Sequence, residues 1–154
     1  VLDAGCGRDV SGLPVTVCGM YLDIGQVREP ALPSHLYILD VAGARNVERI
    51  VVEEFQKSVD PRLHDVCNTV QGYVVELRDV VVDPWEPSKE VGGFCDCGHN
   101  RLIRVDNFLH LPHEMAHAAQ GCNWSLGTAF VDGHERWGMD VRPQLMIVRE
   151  RLEL

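Results

Sequence analysis

The spacing of apolar and polar positions changes character several times along the chain. Residues 1–35 are rich in Gly and Pro around one apolar run, Leu13 to Leu22, and predict loops with one or two short strands. His35 to Val41 (HLYILDV) predicts another strand. Gly43 then reads as a break, and Ala44 to Val59 takes up helical spacing. Val47, Ile50, Val51, Glu54, Phe55 and Ser58 share a mostly apolar face, with Glu48, Arg49, Glu53 and Lys57 directed outward. Asp60-Pro61 ends that helix. Gly72 to Asp83 (GYVVELRDVVVD) is the clearest strand, β-branched and bounded by Gly72 and Pro84. Asp83 to Gly93, with its prolines and glycines, reads as a surface loop. Arg101 to Val105 (RLIRV) predicts a further strand, a helix follows it, and the tail from Val141 to Leu154 suits either helix or strand. Strands, a helix, more strands and another helix make an α+β domain with a mixed or antiparallel sheet and one core, spanning residues 1–154.

Composition narrows the class. At 154 residues, 45% hydrophobic and 24% charged, the chain has the length and balance of one globular domain. A formal net charge of -9 argues against a nucleic-acid partner, which calls for a basic patch. An acidic surface keeps a protein soluble and could also favour basic peptides. Apolar stretches such as Val80-Val81-Val82 are far too short to span a membrane. The six cysteines (Cys6, Cys18, Cys67, Cys95, Cys97, Cys122) contain no C-x-x-C pair, and their spread predicts disulfides and an oxidising, secreted or periplasmic setting. The chain begins at Val1 without a methionine, as a processed, trimmed or fragmentary product would.

The stretch that carries chemistry is His113-Glu114-Met115-Ala116-His117. Helical residues i and i+4 stand one above the other on a face, so two imidazoles at that spacing can reach one Zn²⁺ at about 2.0–2.1 Å each. Glu114 points about 100° round the helix from His113, beside the ion, where it can take a proton from metal-activated water as general base. Pro112 is tolerated only in the first turn, and Gly121 stands where a C-cap belongs, so the helix should run from about Leu111 to Gln120. Leu111, Met115 and Ala118 give it an apolar side. A catalytic zinc needs a third protein ligand and an open position. Asp132-Gly133-His134-Glu135 supplies three candidates: His134, because imidazole suits zinc well, with Glu135 and Asp132 as alternatives.

From Gly93 to Gly138 the chain resembles the zincin metallopeptidases, which combine an HExxH helix with a third ligand from a later segment. That resemblance implies a small zincin-like domain holding Zn²⁺ at His113 and His117, hydrolysing peptide bonds of a peptide or protein substrate with Glu114 as base. It also implies a strand beside the active-site helix that binds extended substrate by β-addition, a part open to Arg101–Val105 or Tyr73–Val82. The metzincin pattern fails, since Gln120 and Asn123 stand at its glycine and third-histidine positions. The aspzincin pattern is echoed by Gly127-Thr128 and Trp137-Gly138, with Asp132 displaced by two residues; a gluzincin arrangement would choose Glu135. All three tyrosines (Tyr21, Tyr37, Tyr73) precede the helix, so an oxyanion partner would be Arg136, Arg142, or whichever of His134 and Glu135 is not a ligand.

Other signals compete. Cys95-Asp96-Cys97-Gly98-His99 could be a soft-metal site, although C-x-C spacing favours disulfides, and a bond from one of these cysteines to Cys122 would brace the helix. His110 reads as a surface or supporting residue, and Trp124 and Trp137 as packing around the metal. The alternative to a peptidase is a non-catalytic, zinc-bound or disulfide-stapled binding domain on the same scaffold.

Overall fold

A computed structural model describes residues 10–25, 37–96, 100–120 and 142–153. In chain order they form β1 (Tyr21–Ile24), α1 (Val41–Phe55), the single-turn helices α2 (Pro61–His64) and α3 (Val66–Thr69), and β2 (Val74–Leu77). After these come β3 (Val82–Asp83), β4 (Glu86–Glu90), β5 (Gly93–Asp96), β6 (Leu102–Val105), a 3-10 turn (Phe108–His110), α4 (Leu111–Ala119) and α5 (Arg142–Leu152). The class is α+β with a mixed sheet, as the sequence predicts. Strand order is β1-β2-β6-β5, parallel except for β5, which runs antiparallel to β6 at one edge.

Register explains the core. Leu22, Val75, Ile103 and Cys95 are successive partners across the sheet, and none exposes any surface. On the same face Leu77 and Val105 continue the layer, and with Val47, Val51, Phe55, Leu111 and Met115 of the helices they form one cluster. Burying each of these larger side chains contributes about 1.5–3 kcal/mol. The opposite face pairs Glu76 with Arg104 at 2.6 Å, beside a smaller cluster of Val74, Val81, Phe94 and Leu102.

Several expected boundaries move, each for a visible reason. Within His35–Val41, the described residues from Tyr37 onward are not a strand. Asp40 instead caps α1, its carboxylate accepting from the Gly43 N–H at 2.7 Å, so Gly43 lies in the first turn rather than breaking the chain. A side chain at Gly43 would run into Ile38 and the Asp40 carboxylate. Asp60-Pro61 opens α2, with Asp60 as N-cap and Pro61 in the first turn, while α1 has already ended at Phe55. Glu48 is fully buried, not outward: its carboxylate accepts from the Cys18 N–H at 3.1 Å. The long strand stops at Leu77 because its neighbours end opposite it, at Ile24 and Val105. Residues 83–93 are superficial, but β3 and β4 make them an antiparallel ribbon rather than a loop.

The tail is helical. Val148 anchors α5, and Arg151 reaches Glu53 and Glu54 of α1, each at 2.8 Å. Cys18 and Cys67 form a disulfide that ties the loop before β1 to α3. Among the described residues no helix is long and apolar enough to cross a membrane.

Candidate active site

Strand β6 leads directly into the site. Asn107 ends it and turns the chain: its side-chain oxygen accepts from the Leu109 and Ile38 N–H groups, both at 3.0 Å. The 3-10 turn follows, and α4 begins at Leu111 with Pro112 in its first turn, within a residue of the expected helix at either end. Leu111, Met115, Ala116 and Ala118 are buried against α1 and the sheet. At the far end the Gln120 amide donates to the Asp60 carboxylate at 3.0 Å, and Arg62 grips the same carboxylate at 2.7 Å. The Arg62 guanidinium, with the Gln120 amide, holds Asp60 at a pKa of about 2.

On this scaffold the motif adopts the spacing its sequence implies. The rings of His113 and His117 lie 5.0 Å apart between centroids, at 73° to each other. His113 is half-buried and His117 is buried. Glu114 is 5% exposed, and burial alone pushes its carboxyl up to about 8. Among the described residues nothing donates a hydrogen bond to it. Space for it comes from Gly93 on β5: a Cβ there would stand 3.3 Å from Glu114 Oε2 and 2.9 Å from both Arg104 O and Val105 Cγ1. Gly93, His110, His113 and Glu114 border a cleft of about 530 Å³ whose far side includes Val148 and Arg149 of α5.

The two imidazoles are the candidate metal-holding pair among the described residues. Among the described residues no third His, Cys, Asp or Glu completes a metal-binding group. The candidates for that part, His134, Glu135 and Asp132, lie outside the described residues, as do Arg136, Cys97, His99, Cys122, Trp124 and Trp137. Cys95 is a buried thiol facing the core, raised well above its ordinary pKa by burial and by the nearby Glu114. The exposed Trp85 sits on the ribbon, edge-on to Phe94 at 6.3 Å.

The strand beside the helix differs from the two candidates. Arg101–Val105 and Tyr73–Val82 cannot serve as a peptide-adding strand, because β6 and β2 are each paired on both sides; the edge strand packed on α4 is β5. His110 also lines the cleft, with its Nε2 at 3.5 Å from the buried Asp106 Oδ1. Its place fits the expected surface or supporting residue. No known protein family, characterised protein or solved structure matches the chain.

Proposed function

We propose that the protein is a zinc-dependent peptidase of zincin type, with His113 and His117 as metal ligands and Glu114 as general base. The observation that carries this reading is Glu114 itself, a buried carboxylate bordering a cleft, with no hydrogen-bond donor among the described residues and two imidazoles one helical turn apart beside it. A buried carboxylate with no donor among the described residues is costly, and a cation and a water would supply what it lacks there. The third ligand is assigned to His134, with Glu135 and Asp132 as alternatives. Zinc, when bound, supplies Lewis acidity toward water and a carbonyl group. Glu114 accepts the proton of the attacking water and delivers it to the leaving amine. The desolvated wall around it favours that exchange near neutral pH. Edge strand β5 beside α4 takes the extended substrate by β-addition. The Cys18–Cys67 disulfide fits an extracytoplasmic site of action.

The test is hydrolysis of a mixed peptide library by the full chain, followed by mass spectrometry. Cleavage should appear with zinc, stop under chelator and return on re-addition. Library peptides left intact by the zinc-loaded chain would overturn the peptidase reading in favour of a binding domain.

A further inference from the structure

We infer that the cleft beside Glu114 selects peptides in which a carboxylate side chain lies next to an apolar one. This rests on the peptidase reading and adds the substrate class to it. The chain as a whole is acidic, with 23 Asp and Glu against 14 Lys and Arg, so a wall drawn at random from its surface would repel anions. The cleft reverses that sign. Lys89 of β4 and Arg149 of α5 both line it, from separate elements, and His110 lines it too. Glu114 is the one carboxylate among its described lining residues. The ribbon's alternation is the cause: Lys89 faces the cleft, while its neighbours Ser88 and Glu90 do not line it. Lys89 has no ion pair among the described residues. Arg149 is steadied by Glu153 at 2.9 Å, and His110 by Asp106 at 3.5 Å, and neither carboxylate lines the cleft.

The same cleft has an apolar part. Half-buried Leu145 and Leu152 of α5 line it with Leu109. An apolar side chain can be desolvated there while an adjacent carboxylate reaches Lys89 or Arg149. Basic peptides, which the overall charge would favour, meet two like charges instead.

The experiment uses three C-terminally amidated peptides that differ only in carrying Glu, Gln or Lys beside a leucine, so that the side chain is the sole carboxylate read. With the zinc-loaded full chain, kcat/KM should favour the Glu peptide over the Gln peptide by about tenfold, the scale of two partly exposed charge contacts, and disfavour the Lys peptide further. Lys89→Gln should reduce the preference about threefold, whereas Lys57→Gln, an equal charge change in the exposed turn after α1, should leave it intact. Equal rates for the three peptides, or a preference for Lys, would overturn the inference and leave the peptidase reading standing. If none is cleaved, the peptidase reading fails, and anisotropy of fluorescent versions bound to Glu114→Gln decides the cleft's selectivity. Tighter binding of the Glu peptide that weakens in Glu114→Gln/Lys89→Gln upholds it, and equal binding of all three overturns it. Unchanged melting temperature in Lys89→Gln would show that its effect is local, as expected for an exposed ribbon residue.

Discussion

Glu48 and Glu114 are the same residue in the same kind of place, each on a helix that packs against the core side of the sheet, each almost wholly buried. Their surroundings differ. The loop before β1 folds over Glu48, whose carboxylate receives the Cys18 N–H and the Thr16 hydroxyl and lies near Arg45, and the Cys18–Cys67 disulfide holds that loop in place. One oxygen, Oε1, has no hydrogen-bond partner among the described residues, and burial raises the carboxyl's pKa despite those contacts. Around Glu114 no comparable loop closes among the described residues. Gly93 withholds a side chain, and the carboxylate borders open space beside two histidines. Glu48 is thus bonded into the fold, while Glu114 is supported by it and has no hydrogen-bond donor among the described residues.

That contrast breaks most sharply on catalysis. Glu114→Gln should lower peptide cleavage by about 10²–10⁴-fold, the range for loss of a general base, and should raise the melting temperature of the metal-free chain by removing an uncompensated buried acid. Glu48→Gln should leave kcat/KM unchanged. Parallel rate and thermal-melt measurements on the two variants would read both effects.

A smaller effect is expected at the glycine that makes room. Gly93→Ala places a methyl 2.9 Å from Arg104 O and Val105 Cγ1 and should destabilise the fold by about 1–3 kcal/mol, measured by urea denaturation. Cleavage should fall as well, since the same methyl crowds Glu114.

Asp60 sharpens the comparison from the other side, as a carboxylate whose charged form the fold stabilises. Its folded pKa of about 2 lies below the ordinary aspartate value of about 3.9, so its contribution is complete above about pH 4 and is lost as pH falls through 2. The shift amounts to no more than about 2 kcal/mol, because Arg62, its main partner, is half-exposed and solvent-screened. Urea titrations across that window should show the slope in wild type and its loss in Asp60→Asn. The smallest expected effect is the stability change of Glu48→Gln, under about 1 kcal/mol, because relief of a buried acid offsets a weakened acceptor for Cys18 and Thr16.

What could be read from the sequence was local. The HExxH helix carries its own punctuation, with Pro112 confined to the first turn and an apolar side at Leu111, Met115 and Ala118, and the structure reproduces it. Arg101–Val105 is short but β-branched and apolar, and it forms β6. Features fixed by distant partners were hidden. Glu48 looks like a helix-surface residue until a loop thirty positions earlier covers it. Asp40 and Gly43 form a cap and a first turn, although the apolar run before them mimics a strand. Edge strand β5 lies in a stretch of Gly and Cys with weak strand propensity, and pairing with β6 rather than its own composition makes it extended. The pairing of Cys18 with Cys67 depends on how α3 meets the loop before β1, which no local pattern encodes.

The most direct test of the account is zinc content, by elemental analysis of the full chain purified without chelator, alongside His113→Ala, His117→Ala and Glu114→Gln. One zinc per chain in the wild type and in Glu114→Gln, lost in both histidine variants, is the predicted result. A wild-type chain that takes up no zinc even after reconstitution, or histidine variants that keep it, would contradict the assignment of this site.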